Sequence, residues 1–344
     1  MNVINWAIIG TGVIANKFAI GLKYVPSSKL LAVASRKIES AGIFAKKHKV
    51  PKFYGSYDDL VLDKDINVIY IATPNIFHKK YAILCLKNYK HILCEKPFAL
   101  SEKEAQEIIE LARRNNLFCM EAMWSRFMPI IEQAKLVAQS GEIGEIKMFS
   151  ASFGKLNNFD PSNPCYSKEL GGGSLLDMGV YPISLALYFL GYPVGFKGFL
   201  SLGETHVDEQ ASILLKFPNG VQAVLTSNFR VNYSNEIKIY GSKGVITIHE
   251  PIYRSSKITI NKYEYTDKFS RKILLKIKEK YLGTVIRMPI KGNGYNYEAH
   301  EVVKCLKAGQ IESTKMPLQD TLMTLKITDG IRLEEGFLYE SNES

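Results

Sequence analysis

Short apolar runs and amphipathic stretches alternate over roughly the first 120 residues of the chain. Residues 3–10 read as a strand, and 13–24 carry helical spacing in Val13, Ala15, Phe18, Ala19 and Leu22. A buried-type strand over 30–35 and a polar helix over 40–49 come next. The run 66–72 is the most β-branched, and it precedes a helix over 77–87 and a strand over 91–94. Ser101 and Glu104 form a capping box that opens a helix to about 115, before a short strand over 117–120. Such alternation with short connections predicts a parallel sheet covered by helices on both faces.

From Gly144 the pattern changes. Strands are expected over 147–153, 198–203, 211–217, 221–229, 236–240 and 245–249, joined by turn signals such as Pro218-Asn219-Gly220. A long helix over 174–190 interrupts them, and helices over 297–308 and 318–336 close the chain, the last with Pro317 at its entry. Consecutive strands on short turns pair antiparallel, so an open sheet of six or so strands with helices on one face is expected. The reading is an α/β chain of two domains: a doubly wound Rossmann sheet over 1–122 and an α+β domain with a mainly antiparallel open sheet over 123–344.

Composition changes this picture little. A 46% hydrophobic and 23% charged chain is that of an ordinary soluble protein. No uninterrupted apolar run has the length of a membrane span, and the N-terminus runs from a short strand into a glycine turn instead of resembling a signal peptide. The five cysteines form no CxxC pair and no metal-type cluster, which reads as reduced core thiols of a cytoplasmic protein without a metal site. Of the net charge of +10, the segment 254–291 holds eleven Lys or Arg against Glu264, Asp267 and Glu279, or +8. That local excess carries no nucleic-acid-binding signature. A general attraction for anions, dinucleotide phosphates among them, accounts for it.

Gly10-Thr11-Gly12-Val13-Ile14-Ala15 joins the first strand to the first helix. There the first glycine permits the tight turn and the second lets backbone approach a pyrophosphate. The small third residue lets helix and strand pack closely, and the helix N-terminus faces the anion. The second strand ends in Ala34-Ser35-Arg36-Lys37, with no carboxylate for a ribose diol. A hydroxyl and a guanidinium there suit a 2′-phosphate, so NADP is favoured, with NAD as the alternative. Two more stretches fall on the same carboxyl edge, Thr73-Pro74-Asn75 with His78, and Glu95-Lys96-Pro97. Further on, Gly171-Gly172-Gly173 precedes a helix on which Asp177 and Tyr181 are four apart and share a face. A Tyr beside the Lys96 cation is expected to have its phenol made more acidic.

Together these stretches resemble the glucose–fructose oxidoreductase, inositol dehydrogenase and rhizopine-catabolism (Gfo/Idh/MocA) oxidoreductases, over nearly the whole chain. Met120 through Phe127 (MEAMWSRF), Tyr181, Val207 through Gln210 and Gly292 through Ala299 are similar to the branch of dimeric dihydrodiol dehydrogenases and NADP-dependent D-xylose 1-dehydrogenases. The resemblance implies Lys96 and Tyr181 as a catalytic acid–base pair, with Asp177 positioning the substrate. It implies that Trp124, Arg126, Thr73, Asn75 and His78 line the nicotinamide and its ribose. Hydride would pass between the cofactor and a hydroxyl-bearing carbon of a sugar, polyol or cyclic diol. The alternative is a dinucleotide-responsive sensor of the same fold, which has no need of both Lys96 and Tyr181.

Two departures stand out. Phe153-Gly154-Lys155-Leu156 lacks the Arg that the branch places after an aromatic residue at the first strand of the second domain, so no substrate transfers from the resemblance. The segment 268–287 reads as a basic insertion with amphipathic-helix spacing, a solvated flap on the simplest view. An open sheet with one bare face is expected to pair with a second copy, giving a homodimer.

Overall fold

The computed structural model describes residues 3–263, 283–337 and 339. The expected amphipathic helix over 271–278 lies outside them. Residues 4–122 form a six-stranded parallel sheet from β1 (Ile4–Ile9), β2 (Ser28–Ala34), β3 (Lys52–Tyr54), β4 (Val68–Ile71), β5 (His91–Glu95) and β6 (Cys119–Ala122), in the order β3-β2-β1-β4-β5-β6. The crossovers run through α1 (Val13–Leu22), α2 (Ile38–His48), α3 (Tyr57–Leu62), α4 (His78–Lys87) and α5 (Glu102–Arg114). β4 is buried at every position and β1 at all but one, as strands covered on both faces must be. Tyr70 of β4 stacks on Phe18 of α1 with ring centroids 3.7 Å apart, locking helix to sheet. The strand order reverses between β1 and β4, which opens a crevice at the carboxyl edge.

After α6 (Pro129–Gln139), a second sheet has eight strands, not six. They are β7 (Ile146–Gly154), β8 (Gly195–Leu202), β9 (Asp208–Lys216), β10 (Gln222–Asn228), β11 (Ile237–Gly241), β12 (Gly244–Ile248), β13 (Lys257–Lys262) and β14 (Thr284–Arg287). The order is β14-β13-β12-β11-β7-β10-β9-β8, antiparallel except that β7 and β10 run parallel. Period-2 alternation is weak in β14, because it lies at the sheet edge and is largely exposed. β14 falls at the end of the segment read as an insertion, so 284–287 is sheet.

The expected helix over 174–190 begins as a π-helical turn, Leu175–Gly179, and continues as α7 (Val180–Leu190) across the inner face of the second sheet. By length and composition the stretch Lys168–Leu190 could cross a membrane; 78% of its apolar window is buried inside the protein, so core packing accounts for its hydropathy. The last two helices, α8 (Tyr295–Lys307) and α9 (Leu318–Glu334), return to the first unit, α8 against α1 and α9 against α5.

Candidate active site

The glycine turn after β1 has the geometry its sequence implied. Gly10 sits at φ +104°, and a Cβ there would lie 2.5 Å from the Ala72 carbonyl oxygen, so any side chain would collide with the end of β4. At Gly12, by contrast, a Cβ would meet nothing within 4 Å. Gly12 caps α1 without a side-chain hydrogen bond, leaving the first amides of the helix free for an anion. Thr11 is half-buried and Val13 is exposed, so the turn opens outward. At the end of β2, Ser35 is half-buried and Arg36 exposed, its guanidinium 5.8 Å from the centre of the Phe77 ring. No carboxylate pairs with Arg36 among the described residues.

A cavity of about 480 Å³ lies below this turn, between the parallel sheet, the π-helical turn and α8. Ile14, Thr73, Asn75, Glu95, Lys96 and Trp124 line one side, and Asp177 and Tyr181 face them. Thr73 Oγ1 is buried with no hydrogen-bond partner among the described residues, an orphan that a bound polar ligand would satisfy. With the open Gly12, the uncapped helix and the unpaired Arg36, these groups fit a dinucleotide laid along the carboxyl edge.

Lys96 follows β5 directly. Its ammonium donates to Asp177 Oδ1 at 2.6 Å and to the Asp177 backbone carbonyl at 2.7 Å. Burial pulls its pKa down, but the charge and hydrogen bond of Asp177 outweigh that and hold it above the usual lysine range. The same ammonium lies 5.3 Å from the centre of the Tyr181 ring. Tyr181 Oη accepts a hydrogen bond from Trp124 Nε1 at 2.9 Å. The expected acidification of Tyr181 is not found: burial, and then the Glu95 carboxyl, push its phenol well above the usual tyrosine range. The reason is geometric, since Lys96 spends its charge on Asp177 and meets the face of the Tyr181 ring instead of its oxygen.

Other expected residues are placed differently. Asn75 Nδ2 donates to the Gly171 carbonyl at 3.0 Å, joining the edge of the parallel sheet to the triple-glycine loop. Gly173 in that loop has φ +116°, and a Cβ there would lie 2.3 Å from Asp208 Oδ1. His78 borders the cavity, but its two ring nitrogens are held by Pro97 O (2.7 Å) and Thr73 O (2.9 Å), and burial lowers its pKa. It braces the loops after β4 and β5 against each other, and Pro74 caps the short helical turn Asn75–Phe77 beside it. Arg126 is not at the cavity. It is wholly buried, donating to Ser184 Oγ at 2.7 Å, to the Ser184 carbonyl at 2.5 Å and to Asp320 Oδ2 at 2.5 Å, so it ties α7 to α9. An arginine in a quoted motif does not announce which way it points, and its partners come from residues 58 and 194 positions away.

The sequence reading gave no site role to an aromatic wall. Trp124 stacks on Tyr295 (4.4 Å between ring centres) and on Tyr253 (5.6 Å), Tyr253 stacks on Phe153, and Phe153 meets Tyr181 edge-on. Trp124, Tyr181, Phe153 and the stretch 292–299 were each singled out in the sequence, but nothing there joined them into one wall, and Tyr253 gave no signal. Lys155 also lines the cavity, where the missing branch Arg had been noted.

Comparison with known proteins bears on these features. The family described as "Oxidoreductase family, NAD-binding Rossmann fold" matches residues 4–123, and the "GFO/IDH/MocA C-terminal domain" matches 131–247. A trans-1,2-dihydrobenzene-1,2-diol dehydrogenase of Xenopus tropicalis is 37% identical over 340 residues, covering 97% of this chain and 98% of the relative. The enzyme of that name in Homo sapiens is 32% identical over 346 residues, covering 99% of each. Among solved structures, a 3-ketoreductase from Actinomadura kijaniata in complex with NADP and TDP-benzene aligns with TM-score 0.84 at 24% identity, over 96% of this chain and 98% of that one. A levoglucosan dehydrogenase in complex with NADH and levoglucosan aligns with TM-score 0.84 at 21% identity, over 97% of each.

Proposed function

The chain belongs to the GFO/IDH/MocA family of oxidoreductases, and from that premise we propose that it transfers hydride between NADP and a hydroxyl-bearing carbon of a sugar, polyol or cyclic diol. The observation that carries this reading is the meeting of the Lys96–Asp177 pair and Tyr181 in one cavity under the glycine turn. Relatives named for a cyclic diol substrate support the substrate class.

The Gly10–Ile14 turn and the α1 amides would hold the pyrophosphate, and Ser35 with Arg36 the 2′-phosphate. Thr73, Asn75 and Trp124 would flank the nicotinamide, which supplies the hydride acceptor when bound. Asp177 fixes Lys96 so that its ammonium can stabilise charge developing on the substrate oxygen. Tyr181, steadied by Trp124, passes the hydroxyl proton. The aromatic wall excludes water from the reacting carbon and offers a flat surface to a ring.

The test is a panel of sugars and cyclic diols with NADP⁺, followed by absorbance of the reduced nicotinamide, on wild type and Tyr181→Phe. At least one substrate class should turn over, and the variant should lose about 10²- to 10⁴-fold in kcat with unchanged cofactor affinity. Near-normal turnover in the variant would remove Tyr181 from the chemistry.

A further inference from the structure

Charge in the cavity is unevenly matched. Among the described residues that line it, Lys17, Lys96 and Lys155 are cations, and the carboxyls are those of Glu95 and Asp177. Asp177 is committed to the Lys96 ammonium, while Glu95 accepts the Tyr70 hydroxyl and, at 3.3 Å, the Lys96 amide. Lys17 and Lys155 form no ion pair among the described residues. Two cations therefore face one cavity whose acids are already engaged. Their field is focused by the apolar walls around them and draws anions inward.

The two cations stand on different walls. Lys17 lies one turn past Ile14 on α1, on the side given above to the dinucleotide, where the phosphates are its natural partners. Lys155 follows β7, two residues after Phe153, whose ring meets Tyr181 edge-on at 5.4 Å between centres. Residues two apart in an extended chain share a face, and both line the cavity, so Lys155 belongs to the Tyr181 side.

The backbone beneath Lys155 is held at four consecutive amides. Gly154 donates to Asn235 Oδ1 at 2.7 Å, Lys155 to the Asn228 carbonyl at 3.1 Å, Leu156 to Asn232 Oδ1 at 2.8 Å and Asn157 to the Phe229 carbonyl at 2.9 Å. A Cβ at position 154 would collide with the Tyr233 ring, so the strand end packs tightly on the segment after β10. With the backbone fixed, only the lysine side chain remains to be ordered when a ligand binds. Such a cation is set in place for a partner that the protein itself does not supply.

We propose that Lys155 selects the substrate by charge: the ring that presents its hydroxyl to Tyr181 also carries an anionic group, a carboxylate or a phosphate, which pairs with the Lys155 ammonium. The inference rests on the function proposed above and narrows its substrate class. The aromatic wall takes the ring, Tyr181 and Lys96 address the reacting hydroxyl, and Lys155 fixes which way round the ring lies.

The test compares matched substrates with NADP⁺: a hexose, its uronate and its 6-phosphate, and a cyclohexane-1,2-diol with and without a ring carboxylate. In wild type, kcat/KM should favour an anionic member over its neutral counterpart by about 10- to 100-fold, mostly through KM, and added salt should shrink the preference. Preference for the uronate or for the phosphate identifies the anion. Lys155→Met should collapse the anionic-to-neutral ratio towards one, and Lys155→Arg should restore most of it. Calorimetric titration of NADP⁺ into each variant should give the wild-type affinity. No preference in wild type, an unchanged ratio in Lys155→Met, or a loss that falls on NADP⁺ affinity would each overturn the proposal while leaving the oxidoreductase reading intact. Absence of both dinucleotide binding and turnover would overturn both.

Discussion

Arg36 stands at the end of β2 with its guanidinium over Phe77 and no acidic partner among the described residues. A free, stacked cation at this position can form a charge-assisted contact with a 2′-phosphate, worth about 1.5–3 kcal/mol for a hydrogen bond to a charged group. Arg36→Leu is thus expected to weaken NADPH binding by roughly 10- to 100-fold while barely touching NADH. Quenching of tryptophan fluorescence would report both affinities, and a parallel loss for the two would sink the assignment. The position of Arg36 was legible because nothing long-range decides it; the chain puts a cation at the end of β2 where other sites put a carboxylate. Arg126 shows the opposite case. Its three strongest contacts are to Ser184 and Asp320, and no local pattern could have placed it inside the protein.

Among the elements, the π-helical turn Leu175–Gly179 matters most. It carries Asp177 into the cavity before α7 begins, and it is anchored by Asp208 of β9, whose Oδ2 accepts the Leu175 amide at 2.6 Å and the Ser174 hydroxyl at 2.8 Å. Burial pushes Asp208 up to about 7, although these two bonds and Arg332 pull the other way. An unfolded Asp titrates near 3.9, so between about pH 4 and 7 the unfolded chain releases a proton that the folded one keeps. This group's stabilising contribution is complete below the unfolded value and is lost as pH rises through the folded one. In Asp208→Asn the thermal midpoint should therefore fall less from about pH 5 to 8 than in wild type. Parallel curves would show that the folded carboxyl titrates normally. Helical spacing announced a helix here, but not the π turn, because that turn is imposed by the strand behind it.

For the molecule as a whole, the outer face of the second sheet is the unfinished feature. Phe199 of β8 is 72% exposed and Leu214 of β9 is 51% exposed, on the face opposite the one α7 covers. Leu214 pairs with Val224 of β10 and with Lys197 of β8, and Phe199 pairs with Ser212, so Phe199, Leu214 and Val224 form an apolar patch broken by Lys197 and Ser212. We propose that a second copy covers it, as an isologous dimer. Light scattering should give a dimer for wild type and a monomer for Leu214→Glu with an intact fold; a wild-type monomer would end the idea.

The sequence by itself determined the succession of a parallel helix-covered sheet and a mainly antiparallel one, the glycine turn after β1 and the carboxyl-edge position of Lys96. Each follows from local rules: periodicity, a positive φ at Gly10 that only glycine tolerates easily, and the direction in which a parallel strand must leave its sheet. Tertiary structure alone decided that Lys96 spends its charge on Asp177 and that Tyr181 is made less acidic and leans on Trp124. A pKa and a side chain's direction are set by whatever the fold packs within a few ångströms, and here Asp177 reaches Lys96 from 81 residues away and Trp124 reaches Tyr181 from 57.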